Sequence, residues 1–528
     1  MPQQVLPLRV GFAVAAGLVL AAAFEPVALP FVIPFAVAGY VLAVRGLRPR
    51  GSLLVGLAFG IAFYFTHIVW MRAVGTDAWL ALASVEALFY AVLAPVTTAL
   101  SRLPGWPVWV AAAWTTMEAV RSGWPFSGMP WGRLAYGVAD TPVAAALPYV
   151  GATGVSAGLA LAGALLAALV ADPRRRRTLV GLAAVAGLTS LAALRPWSPE
   201  ITGQATVAAV QGDVPGPGND ILYDHRGVTR NHAEATVDLA RRVEDGEETR
   251  PDFVLWPENS TAVDPFADAE DHALIESAVA AVGVPVLVGG IVDGDATHFF
   301  NQGIVWDPVT GPGDRYTKRH PVPYGEYIPF RQFFEDRNFG RLAVISRDMV
   351  AGTRTEPLTV AGISVADAIC FDIAYDDVLH DQVGRGAQLV TVQTSNATFI
   401  ETHQIEQQFA ITRLRALETG RYVVVASPNG ITGVVAPDGH VLDRATPRTT
   451  DVLVQRVGLV SGLTPAVRLG AWPARGAAAV TVLGLLIAVV AGRRRSVRRG
   501  DDDAPGPVLA APGGPVQQDP SERVPSGS

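Results

Sequence analysis

Three side chains far apart in the sequence, Glu258, Lys318 and Cys370, are together able to carry out covalent acyl chemistry. Cys370 is the single cysteine of the 528-residue chain. It has no partner for an internal disulfide, and one sulfur cannot build a thiolate metal cluster. It is therefore either a small core hydrophobe or a nucleophile. The run Val365-Ala366-Asp367-Ala368-Ile369-Cys370 reads as a buried strand delivering the thiol at its C-terminal end. A helix opening at Ala374 to Asp377 is expected to place unpaired backbone N–H groups near the sulfur, where they favour the thiolate. Glu258 follows the apolar run Phe253 to Trp256, stopped by Pro257, and Lys318 lies in Tyr316-Thr317-Lys318-Arg319-His320, after another strand and turn. In that set the carboxylate takes the thiol proton, the thiolate attacks a carbonyl carbon, and the ammonium stabilises the oxyanion. His320 and His403 are weaker candidates for the base: the first reads as support for the Lys318 loop, the second as part of a polar helix start. No two histidines have ligand spacing with carboxylates nearby, so neither a metal nor another cofactor is expected.

The elements that must position these groups begin after Pro199, where short β-branched runs alternate with amphipathic stretches. Strands are predicted at Ala205 to Gln211, Phe253 to Trp256, Val284 to Gly290, Gly303 to Trp306, Ser364 to Cys370, Leu389 to Gln393, Tyr422 to Ala426 and Val434 to Ala436. Helices are predicted at Arg226 to Val243, Asp268 to Val282 and Thr402 to Glu418. This alternation indicates a layered α/β domain.

The rest of the chain reads as membrane protein, since 50% of its residues are hydrophobic and 17% charged. Seven apolar spans precede the domain, near Leu8 to Ala23, Val27 to Val44, Leu53 to Trp70, Ala78 to Leu100, Val108 to Val120, Val143 to Val170 and Leu179 to Leu194, and an eighth follows it at Ala477 to Val490. The fifth is the weakest, with Pro104 and Pro107 at its start and Glu118 near its end. Arginines gather in every second break: Arg45, Arg48 and Arg50, then Arg102, then Arg174 to Arg177, then Arg493 to Arg495 with Arg498 and Arg499. That alternation puts both termini in the cytoplasm and the region between Arg195 and about Arg475 outside, and it marks the basic clusters as topology signals and not as a nucleic-acid surface. The expected division is 1–197 for seven transmembrane helices, 198–472 for the extracytoplasmic domain, 473–492 for the eighth helix and 493–528 for a basic segment with a disordered tail. Trp124 and Trp131 lie in the outer loop Gly123 to Arg133, which reads as a lipid-entry lip. Tyr324, Tyr327, Phe330, Phe333 and Phe334 are candidates for the wall or lid that keeps water from a thioester.

Trp256-Pro257-Glu258, then Tyr316-x-Lys318-x-His320 with Pro323-Tyr324-Gly325-Glu326, then Ile369-Cys370-Phe371-Asp372, resembles the Glu-Lys-Cys triad of the carbon-nitrogen hydrolase (nitrilase) superfamily. With spans on both sides of the domain, the chain is similar to the bacterial apolipoprotein N-acyltransferases from Leu6 to about Arg499. The resemblance extends to Gln211-Gly212-Asp213-Val214-Pro215 and Arg415-Ala416-Leu417-Glu418-Thr419-Gly420-Arg421. It implies an αββα sandwich on the outer face of the inner membrane, moving an acyl chain from a phospholipid to the α-amine of a diacylglyceryl-cysteine lipoprotein. Glu258 would be the base, Lys318 the oxyanion stabiliser and Cys370 the nucleophile; Glu326 matches a further acidic residue of the family's site, and Asp372 stands where relatives more often carry Glu. The chain departs from its relatives at Ser395-Asn396-Ala397-Thr398-Phe399 and Pro215-Gly216-Pro217-Gly218-Asn219, both read as lipid-contacting positions. A monomer with no nucleic-acid partner is expected. The competing readings are a membrane-tethered amidase of the same superfamily and, from another class, a sensor or transport protein. Against the latter, the spans carry few charges beyond Glu118.

Overall fold

The computed structural model describes residues 5–172, 176–333, 346–502 and 514. Arg174, Arg175, Phe334, the side chains of Arg494 onward and nearly all of the tail lie outside the described residues, as does the side chain of Phe333.

The N-terminal part is a bundle of α1 (Val5–Ala21), α2 (Ile33–Val44), α3 (Pro49–His67), α4 (Thr76–Leu100), α5 (Trp106–Arg121), α6 (Leu147–Ala171) and α7 (Arg176–Leu194). Five helices among the described residues are long and apolar enough to cross a bilayer: Pro49–His67, Thr76–Leu100, Pro142–Ala171, Arg176–Leu194 and Trp472–Arg493. The expected eight spans correspond to eight helices, but α1, α2 and α5 are short, at 17, 12 and 16 residues. Pro107 does not weaken α5; it occupies the first turn, where a missing N–H costs nothing and a fixed φ suits the helix. The tightest packing is between α3 and α4. A Cβ on Gly60 would stand 2.7 Å from the Ala87 Cα, and one on Gly56 2.4 Å from the Tyr90 carbonyl oxygen, so only glycine lets the two backbones approach this closely. Outward-facing Leu8, Phe31, Phe35, Val92, Val180 and Leu188 are exposed, which is the pattern of helices solvated by lipid.

The second part is built from β1 (Ile201–Gln211), α8 (His225–Glu244), β2 (Phe253–Leu255), α9 (Ala269–Val282), β3 (Val286–Asp293), β4 (His298–Asp307), β5 (Gly311–Thr317), β6 (Asp348–Met349), β7 (Leu358–Val360), β8 (Ile363–Ile369), α10 (Asp376–Gly384), β9 (Leu389–Gln393), α11 (Gln404–Thr419), β10 (Val423–Ala426), β11 (Gly433–Val435), β12 (Val441–Arg444), β13 (Asp451–Val460) and the short α12 (Pro465–Leu469). One sheet runs β13-β1-β2-β3-β4-β5, with β6 beside β4, and the other runs β12-β11-β10-β9-β8-β7. The strand period of two decides the layers. In β1 and β2, Ala208, Val210, Val254 and Trp256 pack outward with Leu239, Ile275 and Val279 of α8 and α9. Their neighbours Val207, Ala209, Phe253 and Leu255 face the second sheet. The order helix, sheet, sheet, helix follows. The last helix, α13 (Trp472–Asp502), returns to the bundle beside α5.

Five of the described strands have no counterpart in the sequence reading, among them the two-residue β6 beside β4. β13 pairs antiparallel with β1 from Ile201 with Val460 to Gln211 with Asp451, and so closes one edge of its sheet. β5, β7 and β12 lie at or next to edges, where short or polar strands carry little apolar periodicity.

Candidate functional site

The site lies where the C-terminal ends of β2, β8 and β9 meet the loop after β5. β2 ends at Leu255, and the chain turns at Glu258 and Asn259, whose φ is +57°. The turn presses onto β3 at Gly289, where a Cβ would lie 2.2 Å from the Pro257 carbonyl oxygen. Glu258 is buried and fully engaged: its Oε1 accepts from Lys318 Nζ at 3.1 Å and Asn301 Nδ2 at 2.7 Å, and its Oε2 from the Ser395 N–H at 2.7 Å. Lys318 Nζ also donates to Glu326 Oε1 at 2.6 Å, and Glu326 Oε2 accepts from the Val322 N–H at 2.8 Å. Burial works against the ammonium, but Glu258 and Glu326 outweigh it and hold Lys318 charged, well above its usual range.

Cys370 leaves β8 with a φ of +50°, a left-handed conformation rare for a residue with a side chain. It opens a short 3₁₀ turn, Cys370–Ala374, and α10 starts only at Asp376. The expected pull toward the thiolate is not what the resting site provides. Burial and then the negative charge of Glu258 push the Cys370 thiol up to about 12, against smaller opposing contributions from Lys318 and a hydrogen bond with Thr394. The resting sulfur is therefore an S–H, and the backbone donors after it do not overcome desolvation.

Asp372 fastens two parts of the site to each other. Its Oδ2 accepts from the Tyr316 hydroxyl at 2.8 Å and from the Arg319 and Ile369 N–H groups at 3.3 Å each, and its Oδ1 accepts from the His320 N–H at 2.9 Å. The carboxylate thereby joins the Lys318 loop to the Cys370 turn. His320 stacks on Tyr375 at 3.7 Å between centroids and reaches Asp377 through Nε2 at 3.1 Å, which places it behind that loop. His403 precedes α11 as its N-cap residue.

The aromatic candidates separate. Trp124 is 64% exposed and packs edge-on to Phe89, whereas Trp131 is 1% exposed, donates to Gln407 Oε1 at 2.7 Å and stacks on Phe371 with centroids 6.0 Å apart. Only the first has the exposure of a lip; the second is a floor beneath the residue that follows Cys370. Between them Phe126 meets Tyr324 at 5.9 Å and Phe330 at 5.7 Å, and its carbonyl accepts from the Tyr327 hydroxyl at 3.2 Å. The two segments proposed as walls thus touch. Phe399 lies against Trp70, while the Pro215 to Asn219 loop is held by Arg448 and Asn429, which donate to Pro217 and Gly218 carbonyls.

Sequence reasoning missed Asn301, Thr394 and Gln408, which donates to Thr394 Oγ1 at 2.9 Å. The one signal for Asn301 was an amide inside a strand otherwise suited to burial. Also missed was a buried ion pair in the bundle, Glu86 with Arg121 at 2.9 Å, so Glu118 is not the main charge there.

Two antiparallel-edged sheets between helix layers, with a Glu, a Lys and a Cys converging at strand ends and an apolar helical bundle against that face, define a carbon-nitrogen hydrolase domain joined to a helical bundle. Residues 206–461 match the carbon-nitrogen hydrolase family, and residues 16–165 match the apolipoprotein N-acyltransferase N-terminal domain. The chain is 36% identical to the apolipoprotein N-acyltransferase of Mycolicibacterium smegmatis, over 87% of this chain and 81% of that one. It is 31% identical to that of Methylococcus capsulatus, over 92% and 96%, and 32% identical to that of Ralstonia nicotianae, over 85% and 86%. The chain belongs to the apolipoprotein N-acyltransferase family.

Proposed function

We propose that this chain moves an acyl group from a phospholipid to the α-amine of a diacylglyceryl-cysteine lipoprotein through a Cys370 thioester. The observation that carries the reading is Lys318 Nζ between Glu258 at 3.1 Å and Glu326 at 2.6 Å, beside the left-handed Cys370 turn and against an apolar bundle. Glu258 takes the thiol proton as Sγ bonds to the ester carbonyl carbon. The oxyanion forms beside the Lys318 ammonium, two of whose three N–H donors are already committed to carboxylates. The ester C–O bond then breaks, and the proton on Glu258 passes to the departing lysophospholipid oxygen. In the second half the lipoprotein amine attacks the thioester, gives its proton to Glu258, and Cys370 leaves as the thiol. Glu326 and Asp372 hold Lys318 in place, Trp124, Tyr324, Tyr327 and Phe330 surround the acyl chain, and Trp131 supports the site from beneath Phe371.

All eight helices span the membrane in this reading, with boundaries at 1–197, 198–472, 473–492 and 493–528, and the enzyme acts as a monomer. Arg9 bonds the Ala43 and Arg45 carbonyls at one end of the bundle, whereas α11 of the α/β domain bonds Glu25 and Trp70 at the other. The basic break at Arg45 thus lies away from the α/β domain, which supports a cytoplasmic position for that break and an outer position for the domain.

Incubation with phospholipid alone tests the chemistry. Intact-mass measurement should find one acyl group on the enzyme and lysophospholipid in solution, and neither with Cys370→Ala. An adduct on that variant removes Cys370 as the nucleophile, and phospholipid left untouched by the folded wild type favours the amidase reading. In Cys370→Ala carrying Glu247→Cys, an impermeant thiol reagent should label intact cells; labelling only after lysis places the domain inside.

A further inference from the structure

Glu86 of α4 and Arg121 of α5 are 2% and 0% exposed, deep among apolar helices. A charged pair in such surroundings stabilises poorly compared with well-packed apolar residues, so its presence calls for a task other than holding the helices together. Arg121 has one. Its Nη1 reaches beyond Glu86 Oε2 to the carbonyl oxygens of Met129 at 2.6 Å and Trp131 at 2.7 Å, and the Tyr64 hydroxyl donates to the same Trp131 carbonyl at 3.1 Å. One turn earlier on α5, Glu118 Oε1 accepts from the Leu134 N–H at 3.0 Å. The segment from Met129 to Leu134 is thus fastened at both ends to charged side chains of α5, which give its backbone partners that a lipid-facing bundle otherwise lacks.

That fastened segment is the surface on which the Cys370–Ala374 turn rests. Trp131 stacks under Phe371, the Gly128 carbonyl accepts from the Tyr375 hydroxyl at 2.9 Å, and Arg133 Nη1 meets Asp376 Oδ1 at 2.7 Å. Phe126, just before it, packs on Tyr324 and Phe330 of the loop that carries Glu326. We infer that Glu86 and Arg121 are positioning residues for the acyl transfer: the pair sets the height of the loop between Phe126 and Arg133, and with it the floor on which the ester carbonyl meets Cys370. Glu86 neutralises the guanidinium and aims it; Arg121 supplies the donors to the loop. The inference rests on the acyl-transfer reading of the site.

The decisive variant is Glu86→Met with Arg121→Met, because removing both charges leaves no orphaned ion to unfold the bundle. Wild-type enzyme must first form the acyl-enzyme from phospholipid; if it does not, the functional reading fails and the pair is not in question. Given that, the double variant should keep its thermal midpoint and its rate of Cys370 alkylation by iodoacetamide. Its single-turnover acylation at saturating phospholipid should fall about 10-fold or more, with the half-saturating concentration within about twofold. Equal acylation by a folded double variant overturns the inference, as does a loss confined to the half-saturating concentration. If the double variant does not fold, Arg121→Lys decides: the charge stays, but the shorter side chain sets its nitrogen back from the place of Nη1, the one atom that bonds both carbonyls and Glu86. A drop of about fivefold or more at an unchanged thermal midpoint supports the inference, and wild-type acylation rejects it.

Discussion

The protonation state of the resting sulfur is the most exposed consequence of the site's geometry, and the presence of one cysteine makes it directly measurable. With the thiol pushed up to about 12, the thiolate fraction at pH 8 is about 1 in 10⁴, against about one quarter for a free thiol of pKa about 8.5. Nucleophilicity rises with basicity, by about 40-fold over such a gap for a Brønsted coefficient of about 0.45, so iodoacetamide should alkylate Cys370 about 60-fold more slowly than free cysteine. The pH profile is the firmer observable. The logarithm of the rate should climb by about one per pH unit from pH 7 to pH 10 with no plateau, because the ionised fraction stays small throughout. Glu258→Gln removes one of the charges that hold the thiol up, so alkaline alkylation should become faster in the same variant whose acylation by phospholipid falls by about 10² or more. The two activities should move in opposite directions at an unchanged thermal midpoint, which separates loss of the Glu258 charge from exposure of the thiol by unfolding. A rate that is flat between pH 6 and pH 9 would mean a standing thiolate, and would refute the argument that Glu258 must remove the proton as substrate arrives.

Two further outcomes follow from buried carboxyl groups. Asp372→Asn exchanges one acceptor oxygen for an NH₂ group, which must face either the His320 N–H or the donors at Oδ2, Tyr316 among them; a cost of about 2–4 kcal/mol in stability and a loss of about 10-fold or more in acylation are expected by thermal unfolding and single-turnover assay. Unchanged acylation would free Asp372 from any part in placing Lys318. Asp367, buried between the sheets, is pushed up to about 7 by desolvation, above its unfolded value of about 3.9. A raised folded value means that the neutral carboxyl's contribution is complete below about pH 4 and is lost as pH rises through about 7, by about 4 kcal/mol once fully ionised. Thermal midpoints of the wild type should therefore drop between pH 5 and pH 8 relative to Asp367→Asn, and parallel curves for the two proteins would contradict the assignment.

The chemistry-bearing triplet was legible from single positions because each residue stands beside a local signal: Pro257 stopping an apolar run before Glu258, the polar turn around Lys318, and the buried strand ending at Cys370. Strand β9 was read with its observed ends, Leu389–Gln393, for the same reason, a compact run of β-branched residues. The helix expected at Ala374 to Asp377 does begin at Asp376, but its effect on the sulfur could not be read from spacing. Ionisation depends on the balance of burial against Glu258, Lys318 and Thr394, which come from other elements.

What a residue is, and how apolar its neighbours are along the chain, thus determined the apolar helices, the α/β alternation and the identity of the candidate reactive groups. Tertiary structure decided which partners each group has. Trp124 and Trp131 belong to one loop, yet only folding turns one out and the other beneath Phe371. Asp372 acquires its four donors from the Tyr316 to His320 segment and from Ile369, Glu86 finds Arg121 across two helices, and β13 finds β1 from far along the chain, Val207 pairing with Gln455. The physical reason is that periodicity records only burial on one face of one element, whereas hydrogen bonds and ion pairs in a low-dielectric interior depend on distances of a few ångströms between segments that no local pattern encodes.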